Sequence, residues 1–551
     1  MKYLIAIIFS FLFLFNSYSQ VAENCYRLFL TDKDNTGFSI LYPEEFLSQK
    51  SIDRRLNQNI DITENDLPVS NEYIDSLKSL GLKVLTKSKW FNSVVVYSTD
   101  LSLIDTITQL GFIESILKNH SVISSLSLKT SLQRKNLAQT SNSNYPDYGS
   151  SGTQISMLNG HVLHRSGYSG SGKTIAVIDA GFLDVDILPA FDSLWFNNQI
   201  LGIKDFVDND DIVFDAPSHG MKVLSVMGGN LPGKLIGSAP KANYWLLRSE
   251  DNSLEQTIEE DYWVTAAEFA DSVGADIINS SLGYSEFDNS DQNYSYVDLN
   301  GNTTIITKAA DIAASKGILV ISSAGNLGDD PWQYISAPAD GDSVLTVGAV
   351  DSYANYAYFS GLGPTSDGRI KPNIAAMGLH TVLVGTDGYL STGVGTSFSA
   401  PLISGLAACL WESTPELTNM EIFRKIEESA HNYSNPDYKT GYGIPDFGKA
   451  SGITSSGVSI LEGNIIVKIY PNPFYSEINI ELFQKTKNLL YFEIFNITGE
   501  KLFETEKFIE NYGSITLSKN LKKLPSGVYL LKISTKNDAV IRRICKASNT
   551  L

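Results

Sequence analysis

The rhythm of apolar and polar positions changes three times along this chain. Between Cys25 and about His120, Tyr26-Arg27-Leu28-Phe29-Leu30 and Ser93-Val94-Val95-Val96-Tyr97 are short and rich in β-branched or aromatic residues, which predicts strands. Residues 43–58 and 71–80 instead place apolar side chains at helical spacing, Ile74, Leu77 and Leu80 among them. The stretch from Leu101 to Leu110 and then Gly111-Phe112-Ile113 closes this unit, a small α+β domain. From about Asp147 to Ala450 the pattern is short apolar runs at 174–178, 244–247, 276–280, 318–322 and 344–349, with helices beginning near His219, Leu254 and Thr304. Strands separated by helices need crossover connections, so a parallel sheet covered on both faces is expected. Beyond Ile465 only strands are predicted, at 478–482, 491–495 and 528–533. Turns at Pro471-Asn472-Pro473, Thr498-Gly499 and Pro525-Ser526-Gly527 separate them, and this spacing predicts a small β-sandwich.

The first of these units is expected to be of ferredoxin-like type and to occupy 20–120. The α/β region occupies 147–450 and the strand-only region 465–551. Residues 121–146, rich in Ser, Lys, Gln and Asn, form a linker that is exposed and easily nicked, and 451–464 is a Gly/Ser-containing joint. Ahead of everything, Met1-Lys2, the apolar stretch from Leu4 to Phe15 and the polar Asn16-Ser17-Tyr18-Ser19-Gln20 have the three parts of a signal peptide. Cleavage is expected after Ser19, so 1–19 is removed. An apolar core of about 12 residues is too short for a mature membrane span.

A length of 551 residues is too great for one core, while 43% hydrophobic and 19% charged residues fit ordinary globular domains. The formal charge of −19 repels phosphate backbones, so no nucleic-acid partner is expected. Cys25, Cys409 and Cys545 are odd in number and scattered over three domains, so an exported chain of this kind does not rest on a disulfide framework. Cys409, in Leu406-Ala407-Ala408-Cys409-Leu410, reads as a small buried apolar residue.

Three segments of the α/β region carry chemistry. Ile175-Ala176-Val177-Ile178 ends at Asp179, and Ser218-His219-Gly220 opens an apolar helix. Gly395-Thr396-Ser397-Phe398-Ser399-Ala400-Pro401 presents a serine before another. Asp, His and Ser in this order, 40 and then 178 residues apart, follow one of the known serial orders of a serine triad. In a doubly covered sheet, sites gather at the carboxyl ends of strands and at helix starts, where Asp179 and His219 stand. His219 would take the Ser397 proton during attack and return it to the leaving amine, while Asp179 holds the imidazole tautomer. The Ser397 backbone N–H and the Asn326 side chain, in Ser322-Ser323-Ala324-Gly325-Asn326, are candidate oxyanion donors. Singly, each residue also reads as a cap or turn residue, and only their joint occurrence favours chemistry.

In these segments the region 147–450 resembles the subtilisin-like serine peptidases. Gly167-Tyr168-Ser169-Gly170-Ser171-Gly172 resembles the start of the mature enzyme. Ser281-Leu282-Gly283 resembles the strand whose backbone pairs with extended substrate, and Gly441-Tyr442-Gly443-Ile444-Pro445-Asp446 with Ala450 resembles the domain's end. The resemblance implies a subtilisin-like parallel sheet and a secreted serine endopeptidase acting on protein or peptide substrates through an acyl-enzyme. The first domain resembles the family's inhibitory propeptide, which acts on its own chain and is cut away within 121–148, so that a mature enzyme would begin near Tyr148-Gly149. The last resembles the sorting domain of type nine secretion in Gram-negative bacteria, through Tyr470-Pro471-Asn472-Pro473-Phe474, Ile497-Thr498-Gly499 and Leu524-Pro525-Ser526-Gly527-Val528-Tyr529. Its partner would be the secretion machinery, and its destination the surface or the medium.

The chain departs from the family pattern at Ala180, where Thr or Ser is usual, at Met221, where Thr is common, and at Phe398, where Met is usual. Losing two hydroxyls bears on the hydrogen bonds around the triad. It also keeps a second reading open, a weak or inactive surface binding protein on a peptidase fold. An α/β-hydrolase esterase is excluded by the order of the triad and by the absence of Gly-x-Ser-x-Gly around Ser397. No cofactor is required. A structural calcium at Asp298-Leu299-Asn300-Gly301-Asn302 is the one candidate, against a plain polar turn, since the later Glu of an EF-hand loop is missing. Asp205, Asp208, Asp210 and Asp211 form an acidic loop, and His161-Val162-Leu163-His164 is not a zinc-peptidase motif.

Overall fold

The computed structural model describes residues 24–119, 146–251, 255–453, 467–470, 474–482, 488–496, 498–509, 513–518, 521–534 and 539–547. The expected signal peptide, nearly all of both linkers, Leu254 and the Pro471-Asn472-Pro473 turn lie outside them. The chain divides into two compact units, Met1–Ser451 and Gly452–Leu551. No helix among the described residues is long and apolar enough to cross a membrane.

The first unit opens with β1 (Cys25–Leu30), α1 (Gln49–Asn57), α2 (Asn71–Ser79), β2 (Lys83–Ser88), β3 (Ser93–Tyr97), α3 (Leu101–Ile107) and β4 (Ile113–Asn119). The sheet runs β2-β3-β1-β4 with antiparallel neighbours, the ferredoxin-like arrangement the pattern suggested. Strand alternation decides what each face covers. Val94 and Val96 enter a core with Leu28, Ile74 and Leu77, whereas Val95 between them faces Ile258 of the following domain. Strand β2 escaped notice because its residues are mostly polar and only partly buried at an edge of the sheet.

The following domain is built on β5 (Thr174–Asp179), β6 (Ile200–Asp205), α4 (His219–Gly228), β7 (Asn243–Arg248), α5 (Ile258–Ser272) and β8 (Ile277–Ser280). It continues with α6 (Ile305–Ser315), β9 (Leu319–Ser323), β10 (Val344–Val350), β11 (Ile374–Met377) and α7 (Thr396–Ser413). The seven strands lie in the order β11-β10-β9-β8-β5-β7-β6, every pair parallel. Period-two alternation in β8 shows both faces covered. Ser280 accepts from the Trp263 indole of α5 (3.0 Å) and Ile278 joins that core, while Asn279 accepts from Ser404 of α7 (2.8 Å). The edge strands β6 and β11 were not anticipated, since one is half-exposed and carries Lys204 and Asp205 while the other has four residues, two of them alanine. The helix expected near Leu254 begins at Ile258.

The second unit is strands almost throughout. One sheet joins 467–470, 478–482 and 513–517, and a second joins 501–509, 488–496, 527–534 and 539–546, all antiparallel. Ile480 and Ile515 of the first sheet share a core with Phe492, Ile494, Leu531 and Ile533 of the second, which makes the expected sandwich.

Candidate active site

Asp179 is the last residue of β5 and is fully buried. Its Oδ1 lies 2.7 Å from His219 Nδ1 and also accepts the Ala180 N–H at 2.8 Å. Gly220 permits this approach: a Cβ there would stand 2.6 Å from the Gly181 carbonyl and 2.9 Å from the Asp179 Cβ. Any larger residue after His219 would therefore push α4 away from β5. Asp179 Oδ2 is buried without a hydrogen-bond partner. Ala180, which carries no hydroxyl, and Met221, fully buried and apolar, are the two of the three noted departures that remove a hydroxyl.

Burial pulls the His219 pKa down, but the charge and hydrogen bond of Asp179 outweigh it, and the pKa is raised above 6.5. The ring stands beside Phe398, with centroids 5.8 Å apart.

Ser397 is the second residue of α7, and the turn before it needs glycine, because Gly395 has φ 148°. Further into α7, Pro401 has no N–H to give the Ser397 carbonyl one turn back. That carbonyl accepts from Ser281 Oγ at 3.0 Å instead. The Ser397 hydroxyl in turn donates to the Ser281 carbonyl at 3.1 Å, so in this conformation it is directed there rather than at His219. The proline inside the helix thus ties the Ser281-Leu282-Gly283 segment to Ser397.

Asn326 follows β9 on an exposed turn. Its Oδ1 accepts from the Thr396 N–H at 2.8 Å and from the Thr396 hydroxyl at 2.9 Å. A backbone N–H can only donate, so the amide orientation is fixed and Nδ2 is left as a donor beside Gly395, 3.5 Å from where a Cβ there would stand. Leu282 is buried and Gly283 exposed, directly beyond the end of β8. A Cβ on Gly283 would lie 3.0 Å from Ser336, and one on Gly325 would lie 2.8 Å from its hydroxyl. Ser336 therefore stands between the Ser281 and Asn326 segments. No motif marked it.

A group of carboxylates after β7 also escaped the sequence reading. Glu250 accepts from Tyr284 at 2.6 Å, and burial, then the charge of Glu255, push its pKa up to about 8. Burial and then Asp288 raise Glu255 to about 7, while burial and then Glu250 raise Glu259 to about 10. Sequence spacing gave no sign that Glu250 acts on His219 through its charge.

The other candidates take part in hydrogen bonds and ion pairs. Arg248 pairs with Asp205 at 2.7 Å and Asp208 at 2.6 Å, and Lys204 with Asp211 at 2.6 Å, so much of the acidic loop is neutralised. The Asp298–Asn302 loop is held by its own hydrogen bonds and by Gly301 N–H to Asp340 (2.8 Å). No cluster of three metal-binding His, Cys, Asp or Glu side chains occurs among the described residues. His164 donates from Nε2 to the Ser238 carbonyl (3.0 Å), so its Nδ1 accepts from Tyr148 (2.7 Å), and burial lowers its pKa to about 4. Cys409 lies fully buried beside it, with burial pushing the thiol pKa up.

Comparison with known proteins bears on all three parts of the chain. Residues 170–443 match the subtilase family, 25–139 the peptidase S8 propeptide domain of Bacteroidota, and 468–547 the secretion system C-terminal sorting domain. A thermophilic serine proteinase of Bacillus sp. (strain AK1) is 31% identical over 276 residues, which is 50% of this chain and 60% of that protein. Subtilisin DY of Bacillus licheniformis is 27% identical over 287 residues, 52% of this chain and 93% of that one. The epidermin leader peptide processing serine protease of Staphylococcus aureus superposes with a TM-score of 0.53 at 18% identity, over 80% of this chain and 100% of that one, a likeness of fold.

Proposed function

Because this chain carries a subtilase domain between an S8 propeptide domain and a secretion sorting domain, we propose that it is a secreted serine endopeptidase. The sorting domain marks it for type nine secretion, to the medium or the cell surface. Ser397 Oγ attacks the scissile carbonyl once it turns from Ser281 toward His219. The imidazole takes the hydroxyl proton, the tetrahedral intermediate collapses, and His219 returns the proton to the leaving amine. Water then repeats the sequence on the acyl-enzyme. Asp179 orients Nδ1–H and stabilises the imidazolium without accepting a proton. The oxyanion takes hydrogen bonds from Asn326 Nδ2 and the Ser397 N–H, at the start of a helix whose dipole favours negative charge. The Ser281-Leu282-Gly283 edge is assigned to pairing with an extended peptide. The first domain serves as an inhibitor in its own chain until cut within 121–148.

The 2.7 Å contact between His219 and Asp179, with the His219 ring centroid 5.8 Å from that of Phe398, the residue after Ser397, carries this reading. A fluorophosphonate probe should label the mature protein at Ser397, and Ser397→Ala should abolish labelling. Labelling that persists in the variant would end the proposal. The second reading, a binding protein with little turnover, draws on the unpaired Asp179 Oδ2 and on the Ser397 hydroxyl turned to Ser281. It requires a wild-type chain that binds peptides yet does not label.

A further inference from the structure

Helix α5 turns one face to the N-terminal domain, and that face is a ladder of polar contacts. Asp261, Thr265, Glu268 and Asp271 recur at helical spacing along it. Arg27 grips Asp261 with two bonds, Nε to Oδ1 at 2.7 Å and Nη2 to Oδ2 at 2.6 Å. Thr86 meets Thr265 at 2.6 Å. Glu268 takes the backbone N–H groups of Lys89 and Trp90, each at 2.9 Å, and the Ser88 hydroxyl.

Among the described residues, Asp271 gathers more cations than Asp261. It is fully buried and meets three cations, all from the N-terminal domain: Arg54 Nη2 at 2.5 Å, Arg55 Nη2 at 2.9 Å and Lys89 Nζ at 3.2 Å. The exchange is mutual. Asp66 of the N-terminal domain pairs with Arg55 at 2.9 Å and with Lys316 of the peptidase domain at 3.0 Å. Backbone N–H groups such as those on Glu268 are available from nearly any sequence, so they position the partner without identifying it. Asp271 contacts side chains. Covering it with a surface lacking cations would bury an unpaired charge, which is strongly disfavoured.

We propose that Asp271 is the residue by which the peptidase domain selects and retains its own N-terminal domain after the linker is cut. The chemistry it recognises is two adjacent guanidinium groups on one helix, Arg54 and Arg55, flanked by the Lys89 ammonium. This rests on the reading of the first domain as a propeptide cut within 121–148. A domain without the arginine pair is rejected, since it would leave Asp271 buried and unpaired.

The full-length protein, secreted and processed, provides the test by size-exclusion chromatography with intact-mass detection. The cut N-terminal fragment of the wild type should elute with the peptidase. In Asp271→Asn, of nearly the same shape, the fragment should leave at least about 100-fold faster, as expected when one member of a buried ion lattice is lost. Fluorophosphonate labelling of the freed enzyme should be unchanged, which a merely structural defect would not allow. If Asp271→Asn does not accumulate, Lys89→Met removes the outermost cation and should show the same direction with smaller size. Lys50→Met, which breaks the pair between the 39%-exposed Lys50 side chain and Asp276, should change retention less than about threefold. A wild-type fragment that is cut but elutes alone, or Asp271→Asn and Lys89→Met fragments that stay as long as the wild type, would overturn the proposal. A chain that is never cut overturns the processing reading, and this proposal with it.

Discussion

Two fully buried carboxylates, Asp179 and Asp271, divide this molecule by what surrounds them. Asp271 has both oxygens saturated by three cations. Asp179 has one oxygen engaged by an imidazole and a backbone N–H, while the other has no partner. A saturated ion lattice is rigid and selective. It fixes a partner but holds no proton ready to move. An under-satisfied carboxylate costs stability, but it keeps a strong field on one neighbour, His219, whose pKa rises in response. The proposed site of chemistry and the proposed site of recognition thus use the same residue type with opposite degrees of satisfaction.

Removing the proposed nucleophile tests the catalytic half hardest. Ser397→Ala should lower kcat by about 10⁶ in steady-state peptide hydrolysis, the scale of losing a triad nucleophile. Asp179→Asn should cost about 10⁴, because an amide favours the wrong imidazole tautomer. If it cost less than tenfold, the contrast with Asp271 would lose its catalytic side. Asn326→Ala should cost on the order of 10² to 10³ in kcat with little change in KM.

Acid separates the two carboxylates further. Only neutral His219 accepts a proton, so kcat/KM should fall as pH drops through a value above 6.5, the raised imidazole pKa. At Asp271, burial pushes the pKa up, but Lys89, Arg54 and Arg55 outweigh it and leave it well below the carboxylate range. A depressed pKa adds stability above the unfolded value and loses it only as pH falls through the folded one. Asp66 is likewise lowered, whereas burial raises Glu268, so its protonation in mild acid favours the folded state over the unfolded one. A pH series of size-exclusion runs should show the N-terminal domain retained at about pH 5, above the ordinary carboxylate range, where turnover has already declined. The smallest effect is expected from Glu250→Gln. That carboxyl titrates at about 8, so its replacement should leave the rate at pH 7 nearly unchanged and alter the profile only above 8.

The buried strands were legible because an apolar run of four or more residues has few other uses in a covered sheet, as in β5 and β7. Edge strands such as β2 and β6 were not, because half-exposed backbone imposes no pattern on its side chains. Asp179, His219, Ser397 and Asn326 could be named from their segments. Ser336 and the Glu250 group could not, since only their neighbours in space give them a role.

The linear pattern carried the three-part order of the chain, the sheet of the middle domain and the residues proposed for acyl-transfer chemistry. Local periodicity and short motifs encode these, and both survive without coordinates. The tertiary structure alone decided which oxygen of Asp179 is left unpaired, that Pro401 ties Ser281 to Ser397, and that Asp271 meets Arg54 and Arg55. Each of those depends on residues distant along the chain arriving within about 3 Å of one another. Hydrogen bonding and ion pairing act at that range, and a linear pattern carries no record of it.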